Sequence, residues 1–335
     1  MNDLIYYDSI DLINQDKWRH FYKNHPKNNA FQSFEMYGFW NCLVNYKPFV
    51  FMAENSKGEC LAFCTGVVAP VGKSKTKYHD KTALIYGGPL FLHNDNGLYD
   101  AFILKLGAFL KRISRFTEFR NLGRDPYLKD NFTKHKWEYI PKVNYLIQLD
   151  TEELVFSRFS RNKRREIRSS LKKGVEISYD KTEENIEVIY SILEKIYIRN
   201  DKKLTLPIPD LNFFIQLMKL EFTGLNMVSF EGKVIGGGFF LFDETYLYGW
   251  FRGSLNADFG FLDPDSVLDW SVMQFGLKKG ISFFDYMGAG RKGWENNIRK
   301  YKSRFGGELV ENGMYSRASN PLLFRIQNKF RRMIA

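Results

Sequence analysis

Cysteine is scarce in this 335-residue chain, which has three, Cys42, Cys60 and Cys64. No second group of Cys or His stands near Cys60 and Cys64 to complete a zinc site. The pair reads as core thiols, four apart on one face of a strand. Long apolar runs are also missing, since no stretch reaches the roughly 18 apolar residues of a membrane span. The opening segment MNDLIYYDSID carries acids where a secretory signal has a basic start and an apolar run. A cytoplasmic chain is therefore expected. There is no nucleophile elbow, and so no support for a serine-based covalent mechanism.

What is abundant is aromatic and basic. Aromatic residues make up 17% of the chain, enough for large cores and for lining a groove. The formal net charge of +11 points to anionic partners without choosing among phosphorylated substrates, nucleic acid and acidic lipid. The length suits about two domains at roughly 150 residues each.

A similar order of elements occurs twice. In the first half, helices over 11–22 and 34–44 precede the strands PFVFMAEN, CLAFCTGVVAP and ALIYGGPLF. A helix over 98–115, the strand TEFRNLG, a short helix and the strand NYLIQLD follow. The second half opens with one helix from Thr151 to Lys173, capped by Asp150 with Glu153 completing a capping box. The strand VEISYD and a helix over 182–199 lead to a meander of NMVSFEG, KVIGGGFFLFD and TYLYGWFRG. Asp263-Pro264 starts another helix, with Asp as N-cap and Pro at the first helical position. The strand ISFFDYMG, a helix through Trp294 to Phe305 and the strand ELVEN complete the half. The expected fold is α/β of the α+β type: two tandem domains, each a mixed, largely antiparallel sheet flanked by helices. The expected boundaries are 1–149, 150–318 and a basic amphipathic helix over 319–335.

Two adjacent segments carry candidate chemistry. In FFDYMGAG an apolar strand runs into Asp285 and then into glycines that let a ligand approach the backbone closely. The basic helix after it holds Arg299, Lys300, Lys302 and Arg304, and a lysine facing a groove stabilises an oxyanion or a phosphate. Taken singly, each has a plain structural alternative, a strand-to-helix turn and a solvated helix end.

Together, FFDYMGAG and YKSRFGGELVE resemble the C-terminal signature of Fem-type proteins, an Asp-aromatic-x-Gly turn followed by aromatic-Lys-x-x-Phe-Gly. FQSFEMYGFW, YGGPLF, SRNKRREIRSSLKKGVEIS and KVIGGGFFLF resemble further family segments in the same order, so the likeness spans nearly the whole chain. It implies two N-acetyltransferase-like (GNAT) domains and transfer of an aminoacyl group from aminoacyl-tRNA, or an acyl group from a thioester, onto an amine. It places Lys302 at the family's signature lysine, Tyr301 at its aromatic neighbour and Asp285 at its strand-end acid, with Tyr286, Gly288 and Arg304 beside them. Where enzymes gripping a nucleotide-linked muropeptide carry a lysine after FQSFEM, this chain has Gly38, Phe39 and Trp40. An envelope or exopolysaccharide precursor is therefore also a candidate acceptor. The Arg/Gln-x-x-Gly-x-Gly/Ala loop that holds the pyrophosphate of coenzyme A is not seen, because the glycines of GKVIGGGFF sit inside a hairpin strand.

Several further residues are expected to bind substrate. Tyr248, Trp250 and Arg252 share one face of a strand and line a groove. Arg199, with Asp201 and Lys202, lies in a loop that the resemblance places near the acyl acceptor. The run Arg158, Arg161, Lys163, Arg164, Arg165, Arg168, Lys172 and Lys173 suits phosphates of a nucleotide-linked substrate or a tRNA, or is simply a solvated helix face. The tail helix, with Leu322, Leu323, Ile326, Phe330 and Met333 opposite its cations, suits peripheral contact with an anionic membrane at the inner face. No resident cofactor or metal is expected, only an acyl-CoA, another acyl thioester or aminoacyl-tRNA as co-substrate. The expected partner is a small-molecule, nucleotide-linked or lipid-linked sugar. A coenzyme A-dependent N-acetyltransferase and a catalytically silent sugar-binding protein are the competing readings.

Overall fold

A computed structural model describes residues 4–69, 81–122, 128–199 and 208–320. Asp201, Lys202 and nearly all of the expected tail helix, 321–335, lie outside the described residues. The chain forms two units, Met1–Pro141 with Asn312–Ala335, and Lys142–Glu311.

In the first unit the elements are β1 (Ile5–Tyr7), α1 (Gln15–Asn24), α2 (Phe34–Asn41), β2 (Lys47–Glu54), β3 (Cys60–Ala69), β4 (Thr82–Tyr86), β5 (Leu90–Phe91), α3 (Asn96–Ile113), β6 (Phe116–Arg120), α4 (Leu128–Lys134) and β7 (Glu138–Ile140). The expected strand ALIYGGPLF is broken into β4 and β5 by Gly87, at φ 62°, and by the cis Gly88-Pro89 bond. Proline cannot donate to a ladder, so pairing stops there. The sheet runs β1-β2-β3-β4-β6, parallel only at β4–β6.

The second unit comprises β8 (Val143–Gln148), α5 (Glu152–Arg158), α6 (Arg161–Lys172), β9 (Glu176–Ser178), α7 (Glu183–Arg199), α8 (Leu211–Leu217), β10 (Thr223–Phe230), β11 (Lys233–Phe242), β12 (Tyr246–Ser254), α9 (Asn256–Phe259), α10 (Pro264–Lys279), β13 (Phe283–Asp285), α11 (Asn297–Ser303) and β14 (Glu308–Glu311). Its sheet order is β14-β8-β13-β12-β11-β10-β9. The strand NYLIQLD, placed by the sequence at the close of the first half, is β8 of this sheet, paired with β13 and β14. Conversely β15 (Met314–Ala318) joins the first sheet between β6 and β7. Local pattern specifies a strand but not its partner, so sequence order places NYLIQLD in the wrong half, and the expected boundary at 318 puts residues 314–318 in the wrong unit.

The expected helix over 151–173 is two helices. Phe159 is extended at its turn, Ser160 accepts a hydrogen bond from Lys163 N, and Ser160 N donates to Arg304 O at 2.7 Å. Thr151, not Asp150, caps α5, while Asp150 pairs with Arg158. The core of this unit gathers Phe159, Phe240, Trp270, Phe284, Tyr286 and Phe305. Each such ring contributes about 1.5–3 kcal/mol by leaving water.

One-residue register shifts decide which side chains share a face. Glu54 pairs with Cys60 and Ala53 with Ala62, leaving Leu61 as an extra residue. Cys64 therefore packs with the cluster of Phe51 and Ala62, and Cys60 with that of Val50, Met52 and Phe63. The two thiols do not share a face. Both are buried, which pushes their pKa values up and suits a core role.

The end of α11 runs directly against the α5–α6 break. Gly306 has φ 69°, and a Cβ there would overlap the carbonyl oxygen of Arg158. Gly306→Ala is expected to destabilise the protein by about 1–3 kcal/mol, read as a lower urea midpoint. An unchanged midpoint would show that this glycine is dispensable.

Candidate functional site

The Asp285 turn is built by a buried polar lock. Asp285, 1% exposed at the end of β13, accepts hydrogen bonds from Asn144 Nδ2 and Met287 N, each at 2.6 Å. Asn144 Oδ1 in turn accepts from Gly288 N at 2.8 Å. The lock holds Met287 at φ 58° and Gly288 at φ 138°, backbone that a β-branched residue would resist. It leaves the carbonyls of Tyr286 and Gly288 pointing at Lys302, whose Nζ donates to them at 3.0 and 2.5 Å. Two of the three ammonium hydrogens are thereby used, and the third has no hydrogen-bond partner among the described residues. Burial, then repulsion from Arg252, lowers the Lys302 pKa to about 8, against the opposing pull of Asp269 and Asp285.

Behind Lys302 stands a second network. Asp269 on α10 is fully buried, and its Oδ2 accepts from Tyr301 at 2.9 Å and Tyr286 at 3.1 Å. Arg252 Nε lies 3.2 Å from its Oδ1, and Arg252 Nη1 reaches Asp265 at 3.0 Å. Burial opposes the Arg252 charge, but Asp269 first, and Asp265 with it, more than restores it and raises its pKa. Burial, then Asp269, pushes both tyrosines well above the ordinary value, so they remain phenols. Arg252 and Lys163 both lie over the Tyr301 ring, at 5.2 and 4.7 Å.

The structure thus joins Lys302, Tyr301, Tyr286, Gly288, Asp285 and Arg252. The other expected residues stand differently. Phe239 pairs with Phe251 and Phe240 with Gly249, so Trp250 is the extra residue of a bulge and Tyr248 and Arg252 face opposite sides. That corrects the expectation of one shared face. Tyr248 donates to Asp243 at 2.7 Å, and half-buried Trp250 packs near Phe213 and Phe251. Arg199, Arg165 and Arg304 are exposed, and Arg164 donates to Ser157 O at 3.3 Å. Asn144 and Asp269 were not anticipated. Their signal was a lone polar residue inside an apolar strand, VNYLI, and an apolar helix face, VLDWSV.

Residues 157–303 match the acetyltransferase (GNAT) domain family. FemX aligns with a TM-score of 0.70 at 14% identity over 96% of this chain and 99% of its own. The chain has the doubled GNAT fold of Fem-type proteins. A tandem GNAT protein from the clavulanic acid biosynthesis pathway aligns at TM-score 0.59 and 10% identity, covering 95% of this chain and 99% of its own. L-PGS from Bacillus licheniformis aligns at TM-score 0.56 and 15% identity, covering 93% and 94%. No curated protein matches by sequence. GNAT domains generally take acyl-CoA as co-substrate, and a helix N-terminus is the natural cradle for its pyrophosphate. In the second unit, the start of α10 after the bulged strand does not fit that role. Asp263, at φ 42°, and Asp265 stand there, and the buried Lys163 is already engaged by Asp263, Glu166 and Ser266 at 3.1, 2.7 and 2.5 Å. Asp263 thus occupies the N-cap position without capping the helix, because its carboxylate is turned to Lys163.

Two outcomes test the site's construction. Asp269→Ala strands two phenols, leaves the Arg252 guanidinium only Asp265, and is expected to cost about 3 kcal/mol in chemical unfolding, whereas Asp265→Ala, at a more exposed pair, costs less than about 1 kcal/mol. Equal losses would refute the ranking. A lysine with a lowered folded pKa costs stability whenever it is charged, so the adverse contribution is full below about 8 and fades as pH approaches 10.5. The wild-type chain should therefore gain stability relative to Lys302→Met across that window, and a flat difference would mean Lys302 titrates normally.

Proposed function

We propose that the protein is an acyl- or aminoacyltransferase that moves an acyl group onto an amine of a cell-envelope or polysaccharide precursor. The observation that carries this reading is Lys302, an ammonium anchored by two backbone carbonyls with one N–H remaining to donate. The lone pair of a neutral acceptor amine attacks the acyl carbonyl carbon, the new C–N bond forms, and the carbonyl electron pair moves onto oxygen. Lys302 donates to that oxyanion, where a preorganised donor is worth most. The bond from carbon to the leaving oxygen or sulfur then breaks, and the proton lost by nitrogen passes to the leaving group. Tyr286, Asp285 and Gly288 fix the carbonyls that aim Lys302. Tyr301 and Arg252, held by Asp269, fix its surroundings.

The acidic start of α10 favours a donor other than acyl-CoA for this unit, namely an aminoacyl ester such as aminoacyl-tRNA or a different acyl carrier. The Fem-type resemblance favours a nucleotide- or lipid-linked sugar as the molecule bearing the acceptor amine.

Lys302→Ala is expected to lower transfer at least about a hundredfold while still unfolding cooperatively, assayed with aminoacyl-tRNA and acyl-CoA in parallel against amine-bearing nucleotide-sugar precursors. Because the charged form does the work, the rate should fall as pH rises through about 8. Full activity in Lys302→Ala with the productive donor would overturn the reading.

A further inference from the structure

The outward face of α6 takes no part in the Lys302 site. Arg161, Arg165, Arg168 and Lys172 fall at i, i+4, i+7 and i+11, within an arc of about 60°. All four are exposed, while Lys163, Ile167 and Ser170 on the opposite face are buried. The helix's one acid, Glu166, is taken by Lys163 at 2.7 Å. The stripe is therefore uninterrupted positive charge.

A solvated basic face would explain the cations alone, but apolar surface is exposed beside them. Leu154 on α5 and Leu171 on α6 are 52% and 39% exposed. Between the two helices opens a groove of about 530 Å³ floored by Phe156, Ile167 and Trp270. Arg164 and Arg168 form its α6 wall, and the Arg168 guanidinium lies 5.1 Å over the Phe156 ring. Glu152 and Glu153 stand on the α5 wall, and Glu152 accepts from Gln274 Nε2 at 2.7 Å. The five cations Arg161, Arg164, Arg165, Arg168 and Lys172 thus outweigh two carboxylates.

We propose that this α5–α6 corner docks on an anionic lipid bilayer, with the cations at phosphate level and Leu154, Leu171 and the groove taking acyl-chain carbon. Such a division, charge at the headgroup and aliphatic surface just inside it, is what interfacial binding requires. A nucleic-acid backbone would use the cations but leave the leucines wet, and single strands call for exposed aromatic platforms. The exposed apolar residues flanking this groove are leucines. The proposal is independent of the chemistry at Lys302.

The test is co-sedimentation of the full chain with vesicles of phosphatidylcholine containing roughly a third phosphatidylglycerol, against pure phosphatidylcholine. Wild type should bind only the anionic vesicles. At about fivefold per surface cation, R161Q/R168Q/K172Q should lose about a hundredfold in partitioning. The equal charge change K233Q/K278Q/K279Q, on exposed residues elsewhere in the second unit, should lose far less. Leu154→Ser with Leu171→Ser should lose about tenfold, chiefly at high salt, where screening weakens the charge contribution. Thermal melting confirms that each variant is folded. Failure of wild type to bind, or equal losses in the two charge variants, overturns the proposal. So does an unchanged leucine variant. Binding of bulk tRNA without vesicle binding overturns it in favour of a nucleic-acid surface.

Discussion

A carboxylate with no access to water must be surrounded by donors, and Asp269 meets that demand by drawing three elements onto α10. Arg252 comes from β12, Tyr286 from the turn after β13, and Tyr301 from α11. Lys302 is the next residue after Tyr301, so the same bond that satisfies Asp269 fixes where the lysine emerges. Its target carbonyls belong to Tyr286 and Gly288, and Tyr286 is itself tied to Asp269. One buried charge thus aligns both the lysine and the backbone it bonds.

The second constraint is the bulge at Trp250. An extra residue in β12 turns Arg252 toward α10, where Asp265 and Asp269 wait, and leaves Tyr248 on the other face with Asp243. Without it the arginine and the acid would lie on opposite sides of the sheet. The shift at Leu61 in the first unit does the same to Cys60 and Cys64. In both hairpins a single inserted residue decides which side chains can meet.

Lys163 shows how a basic sequence run separates in three dimensions. It is buried and neutralised among Asp263, Glu166 and Ser266, closing the α10 N-terminus to an anion. Its neighbours at 161, 165, 168 and 172 remain outward. The cationic face is therefore narrower than the sequence run, and the helix start that a phosphate would use carries acid instead.

Much of the architecture was legible locally. Alternation and turn residues marked the meander of β10, β11 and β12, and Asp263-Pro264 marked the start of α10. The resemblance in FFDYMGAG and YKSRFGG brought Asp285, Tyr286, Gly288, Tyr301 and Lys302 into one neighbourhood. The break of 151–173 at Phe159 was not legible, because its cause is the Arg304 carbonyl, far along the chain. Nor was the exchange of β8 and β15 between units, since strand patterns carry no address. The sequence by itself determined most element types and the doubled order, and its Fem-type resemblance singled out Lys302. Only the tertiary structure decided what that lysine faces and which acids accompany it. Hydrogen-bond partners of buried polar groups are chosen by proximity in space, and neither Asn144 nor Asp269 is close in sequence to the group it holds.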